Sequence, residues 1–340
     1  MKNAVCVLIL LLTLGPVCAD VLYVHPPADY ANEIKAGWHK GSIQAAIDDA
    51  SNGDTIVVEE GTYFENINFR GKNIVLTSTD PNDPKVVAAT IIDGQEKNAV
   101  ATFNTGEDAN CVLEGLTITN GGMCGVLESA GIACYHSSPT IRFNLITDNT
   151  RDGEWGGGIY CGENSSPLIM QNIIKNNYSL FAGGIDCWDS SPTIIGNKIV
   201  MNRADFGMGA ISAAYSNLII RNNLIALNSG AGIGIASSSL PTVIVNNTIV
   251  DTSPSGYEHG GVVVYVSVAP IIYNCIIWGN GDELKGCTAT YSCVKDNDTD
   301  EENNDDGDFN ISTDPLFADP NNNDYHLKSQ AGRWNANEGR

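Results

Sequence analysis

Basic residues are scarce in this chain. Lysine and arginine number 18 against 40 aspartates and glutamates, a net charge of −22. That sign excludes unaided binding to nucleic acid or to an anionic membrane, both of which call for a basic surface. Long apolar runs are lacking too. The run from Ala4 to Leu14 is too short to span a bilayer, and no other segment is long enough, so no membrane insertion is expected. Lys2 ahead of that run and Gly15-Pro16-Val17-Cys18-Ala19 behind it complete a secretory signal peptide over 1–19, with cleavage expected after Ala19. The mature protein is expected to be secreted or held at the cell surface.

Helical patterning is nearly absent. Only Ser42 to Ala50 shows it, with Ile43, Ala46, Ile47 and Ala50 at helical spacing behind a serine N-cap. Cysteines are too thinly spread to build a disulfide fold. Cys6 and Cys18 leave with the signal, and Cys111, Cys124, Cys134, Cys161, Cys187, Cys275, Cys287 and Cys293 remain.

What the chain has is repetition. Short runs rich in β-branched residues fill it from Val21 onward, bounded by Gly, Asn and Asp. Taking the Asn after each central strand as a marker gives Asn144, Asn172, Asn197, Asn222, Asn246 and Asn274, at intervals of 28, 25, 25, 24 and 28 residues. Such a period marks a solenoid or a propeller, and units of three short strands without a helix leave a parallel β-helix. The first strand of each unit alternates, so Ile132 with Cys134, Ile159 with Cys161, and Ile185 with Cys187 should point inward. Cys134, Cys161 and Cys187 would then stack as free, buried thiols, since in-register side chains point the same way and are badly disposed to bond. The marker Asn suits a left-handed bend and an amide ladder. The expected fold is all-β: a right-handed parallel β-helix over residues 20–328, with an N-terminal cap over about 20–54 that includes the short helix. An acidic insertion is expected at about 295–310, a closing segment at 311–328 and a polar tail at 329–340.

The units Gly156-Gly157-Gly158-Ile159-Tyr160-Cys161 and Ser190-Ser191-Pro192-Thr193-Ile194 resemble those of secreted bacterial β-helix repeat proteins of the pectin-lyase-like group. Ile43 to Tyr63, Leu113 to Gly121 and Asp314 to Leu327 resemble them as well, so the likeness spans nearly all of the mature chain. The resemblance implies that a polysaccharide groove would run along the first-strand sheet and its loops. It does not name an activity: the Asn-Thr-Asp, Gly-His-Gly and Arg-Ile-Lys signatures of pectin-type hydrolases are absent, and Glu258-His259-Gly260 is not the second of these.

Candidate chemistry therefore comes from position. Outward places on the first strands hold Tyr135, Tyr160, Asp186, Trp188 and Tyr265, the next corner holds His136, Glu163 and Asp189, and the preceding loops hold Arg151, Trp155, Phe181, Arg203 and Phe206. Flat rings beside carboxylates suit pyranose faces and hydroxyls. Asp186 and Arg203 are the expected catalytic pair; Tyr135, Trp155, Tyr160, Glu163, Trp188, Asp189 and Phe206 are the expected sugar contacts. For Glu163 and Asp189 the competing reading is a turn, and for Asp186 a solvated surface. Asp296, Asp298 and Asp300 imitate a calcium loop, but Glu301 stands where that loop needs Gly, so no metal site is assigned. Calcium is the cation such a chain would admit, bridging to an acidic sugar. The expected partner is a polysaccharide or cell-wall glycan, met by a monomer that binds it and, as a lyase or glycosidase, cleaves it. The alternative is a non-catalytic binding solenoid.

Overall fold

The computed structural model describes residues 19–26, 38–122, 130–151, 156–253, 260–295 and 308–328. Short strands recur in threes. Ile132–Tyr135, Thr140–Arg142 and Leu145–Thr147 form one coil, and Ile159–Gly162, Leu168–Met170 and Ile173–Lys175 form the next. Each strand pairs in parallel with its counterparts one coil before and one coil after, as in Tyr135↔Gly162↔Trp188. The chain thus winds as a parallel β-helix with a first, second and third sheet of 9, 12 and 10 strands among the described residues.

Isoleucine sets this register. In the second sheet Ile141, Ile169, Ile194, Ile220 and Ile244 pair successively. In the third, Ile118, Ile146, Ile174, Ile199, Ile225 and Ile249 do the same. All are fully buried. Coils about 4.8 Å apart put like side chains in contact, and burial of each contributes about 2 kcal/mol. A slip of one residue would expose a whole column, so the pairing admits no drift.

The thiol column forms as expected. Cys134 pairs with Cys161 and Cys161 with Cys187. All three are free and fully buried, and Cys111, Cys275, Cys287 and Cys293 are also free and buried; Cys124 lies outside the described residues. Hydrogen bonding to Cys134, with burial, pushes the Cys161 thiol well above the ordinary range. Burial, with Cys161 beside it, does the same to Cys187.

Asparagine closes the corner between the second and third sheets, in a register that differs from the expected marker. Asn144, Asn172, Asn197, Asn223 and Asn247 form the ladder, each buried. Asn172 Nδ2 donates to the Ile141 carbonyl (2.9 Å) and to Asn197 Oδ1 (3.1 Å), while its Oδ1 accepts from the Asn144 backbone N–H (3.0 Å). The left-handed bend belongs to the residue just before: Phe143, Gln171, Gly196, Asn222, Asn246 and Asn274 all have φ between 53° and 63°. Three expected markers are therefore ladder residues and three are bends. A second ladder, not anticipated, follows the third sheet through Asn149, Asn177, Asn202 and Asn228.

The N-terminal helix spans Ile43–Asp49 as patterned, and Ser42 Oγ accepts from the Ala45 N–H. Glu65 adds a cap from the following coil, accepting from the Ile43 and Gln44 N–H groups at 2.8 and 2.9 Å. Val21–His25 is a strand of the second sheet, between Trp38–Lys40 and Thr55–Val58. A six-residue helix at Pro84–Ala89 was not anticipated; Asp83 caps it, and Pro84 occupies the first turn, where its missing N–H costs nothing. At the other end Ile311 pairs with Cys293 of the last coil. The antiparallel pair Phe317–Asp319 and Asp324–Leu327 departs from the expected end closure. Phe317 and Tyr325 pack against Val200, Ala226 and Val250 on the outer side of the third sheet, and Tyr325 Oη donates to Asp251 (2.7 Å). An apolar stripe on that outer face draws the hairpin to the side. The signal segment, most of the acidic run and the tail lie outside the described residues.

Two outcomes are expected. Asn177→Ala strips partners from Asn149, Asn202 and the Ile146 carbonyl in a fully buried column, and should lower unfolding stability in urea by about 3 kcal/mol. Iodoacetamide at about pH 9 should leave Cys134, Cys161 and Cys187 unlabelled until denaturant is added, because all three are fully buried and the raised pKa of Cys161 and Cys187 keeps those two as thiols rather than thiolates. Labelling of any of these three in the native protein would contradict the ladder.

Candidate functional site

The first sheet offers two outward rows, and they differ in access. The inner row runs through Thr102, Ala133, Tyr160, Asp186, Ser212, Gly234 and Val263. It is covered: Asp186 is 1% exposed and Tyr160 2%, where the sequence led us to expect both on an open surface. Strand alternation gives direction, and the loops decide access. The segments preceding successive first strands stack on one another, Thr150 against Tyr178, Tyr178–Ser179 against Arg203–Ala204, and Arg203 against Ser229. From this stack Met208 lies over Gly234, where a Cβ would stand 2.2 Å from the Met208 side chain. Tyr160 lies along its own strand over Gly162, and its ring centroid is 5.3 Å from that of Tyr135.

The outer row is open. Tyr135, Trp188, Ala214, Ala236 and Tyr265 are half-buried. The corner beyond it carries His136, Glu163, Asp189, Tyr215, Ser237 and Val266, all exposed and all at positive φ. A backbone bonded coil to coil holds this edge, with the Glu163 N–H donating to the Trp188 carbonyl and that of Asp189 to Ala214. Trp188 meets Tyr215 edge-on with centroids 5.0 Å apart. His136 Nε2 lies 2.8 Å from Glu163 Oε2. The aromatic rings and carboxylates thus share one strip along the helix axis.

The loop side is a separate neighbourhood. The Arg203 guanidinium is engaged by Asp205 at 2.8 Å and lies over the Tyr178 ring, whose hydroxyl donates to Asp205 at 2.9 Å. Phe206 is 51% exposed and tilts against Phe181. The expected site is therefore divided. Tyr135, Glu163, Trp188 and Asp189 come together on the corner strip, Tyr160 and Asp186 are buried, and Arg203 and Phe206 stand on the loop side. Trp155 lies outside the described residues.

A family model for the right handed β-helix region matches residues 47–204 and 182–304. The chain belongs to the right-handed β-helix family. Its fold is that of the pectin-lyase-like group. The crystal structure of pectate lyase Pel9A resembles this β-helix at 14% identity, with 80% of this chain and 74% of that one covered and a TM-score of 0.51. A mannuronic acid specific polysaccharide family 6 lyase from human gut microbiota aligns at 12% identity over 78% and 82% of the two chains, with a TM-score of 0.22. No curated protein sequence matches the chain. At 14% identity the likeness is one of fold, and the chemistry of this β-helix has to be argued from its own residues.

Tyr215 was missed from sequence, although a signal was present. It holds in its coil the place that His136, Glu163 and Asp189 hold in theirs, so aligning corners instead of strands would have found it. Among the described residues no group of three or more His, Cys, Asp or Glu side chains is placed to hold a metal ion.

Proposed function

We propose that this β-helix is an extracellular polysaccharide-binding protein whose binding surface is the corner strip of the first sheet. The observation that carries the reading is the placement of Tyr135, Trp188 and Tyr215 along one open edge with Glu163 and Asp189 beside them. Rings on an in-register edge recur at multiples of about 4.8 Å, a spacing on the scale of a sugar unit in an extended glycan. Aromatic faces supply apolar contact to pyranose rings, and the carboxylates accept hydroxyl hydrogens. The pectate lyase whose fold it resembles is consistent with a glycan ligand but supplies no residues for one.

Binding is favoured over cleavage because the two residues expected to catalyse do not share an open cleft. Asp186 is buried, and the charge of Arg203 is balanced by Asp205. His136, Glu163 and Asp189 are the acid and base groups on the strip, and turnover is the property that would place them in a mechanism.

The test is a panel of insoluble and soluble polysaccharides, read for binding, new reducing ends and unsaturated products, with and without calcium. The expected result is retention on at least one polysaccharide, weakened on the order of tenfold by Trp188→Ala and by Tyr215→Ala with the circular dichroism unchanged. Retention unaltered by both substitutions would overturn the assignment of the strip. Product formation would convert the reading to an enzyme.

A further inference from the structure

Across six coils, from Ile132 to Pro270, the first strands and the corners that follow them contain no lysine and no arginine. The corners read His136-Ser137-Ser138-Pro139, Glu163-Asn164-Ser165-Ser166-Pro167, Asp189-Ser190-Ser191-Pro192, Tyr215-Ser216-Asn217-Leu218, Ser237-Ser238-Ser239-Leu240-Pro241 and Val266-Ser267-Val268-Ala269-Pro270. The outward strand positions between them hold Ala, Tyr, Gly, Asp, Trp, Ser and Val. Two cations at the margins are engaged, Arg203 by Asp205 and Lys285 over the Tyr265 ring at 6.0 Å, and His136 on the strip lies 2.8 Å from Glu163. Glu163 and Asp189 are exposed on the strip itself, on a chain of net charge −22.

We propose that the strip selects its glycan by charge, taking uncharged chains and refusing polyuronates. The inference rests on the glycan reading above and narrows it to a substrate class. A polyuronate carries a carboxylate on each sugar, and along an edge with a repeat of about 4.8 Å those carboxylates would fall repeatedly near Glu163 and Asp189. No guanidinium or ammonium group stands on the strip to receive them, so contact costs repulsion and desolvation without a compensating bond. An uncharged chain meets the same surface on favourable terms: stacking on Tyr135, Trp188 and Tyr215, and hydroxyls donated to Asp189. The aromatic rings identify the strip as a place for sugar, and the absence of cations says which sugar.

The experiment compares backbone-matched pairs that differ only in charge: methyl-esterified and free homogalacturonan, cello-oligosaccharides and their C6-oxidised forms, and mannan and mannuronan. Affinities are measured by calorimetry at low salt and at about 0.5 M salt, without and with calcium. For whichever backbone binds, the neutral member is expected to bind on the order of tenfold tighter at low salt. The ratio should shrink at high salt and in the Glu163→Gln/Asp189→Asn double variant, while the neutral member's affinity should change little with salt. Equal or tighter binding of an acidic member, with calcium or without it, overturns the charge selection and leaves the glycan reading standing. Binding by no member of any pair overturns both.

Discussion

The amide ladder is the constraint on which the rest of this structure depends. A parallel β-helix turns sharply after each short strand, and each turn leaves backbone groups facing inward where water cannot reach them. Asn172 and its counterparts answer this with one side chain that accepts from the coil before and donates to the coil after. The geometry works only if every coil is in register, so the ladder and the isoleucine columns enforce the same alignment. Cys134, Cys161 and Cys187 follow from it: once the register is fixed, three thiols of suitable size fill one column.

A fixed register also turns the outside of the helix into rows, and here the rows differ in access. In the row nearest the preceding loops Asp186 and Tyr160 are buried, and Met208 from the loop stack lies over Gly234. The row nearest the following corner remains open and carries Trp188, with Tyr215 beside it. The close approach of coils at the loop side needs residues without side chains: a Cβ on Gly158 would stand 2.6 Å from the Gly184 carbonyl oxygen. The glycine pairs of the repeat thus let the coils close on the buried Asn177 and Ile174, and the aromatic residues belong to the open edge.

Much of the fold was legible in the sequence because periodic contacts write periodic residues. Ile, Cys and Asn recur at the coil spacing, and the three-strand unit, the thiol column and the Ser42-capped helix could be read directly. The ladder register was misread where the chain offers two adjacent asparagines, Asn222-Asn223 and Asn246-Asn247, and at Asn274, where Cys275 takes the ladder place and donates to the Ile244 carbonyl. Period alone does not say which is buried, and only alignment with Asn144 and Asn172 does. The C-terminal hairpin was misplaced because the apolar stripe that draws it, Val200, Ala226 and Val250, consists of outward residues on three separate coils. Asp186 was read as exposed because alternation reports the side of a sheet and says nothing of what packs over that side. At the candidate site, the strip was half visible: Trp188 and Tyr135 stood out as strand residues and His136, Glu163 and Asp189 as charged or ionisable corner residues, while Tyr215, at the same corner place one coil on, was passed over because the corners were searched for ionisable groups and the strands for rings.

The account comes down to one claim, that the accessible ligand surface of this β-helix is the corner strip and not the inner row of the first sheet. Hydroxyl-radical footprinting of the protein with and without a bound neutral glycan measures this directly. The account predicts protection of Tyr135, Trp188 and Tyr215, with Phe206 and the exposed, mutually stacked Tyr291 and Phe309 near the C-terminal end oxidised to the same extent in both samples. Protection centred on Phe206 and the loop side, with Trp188 and Tyr215 unchanged, would contradict it.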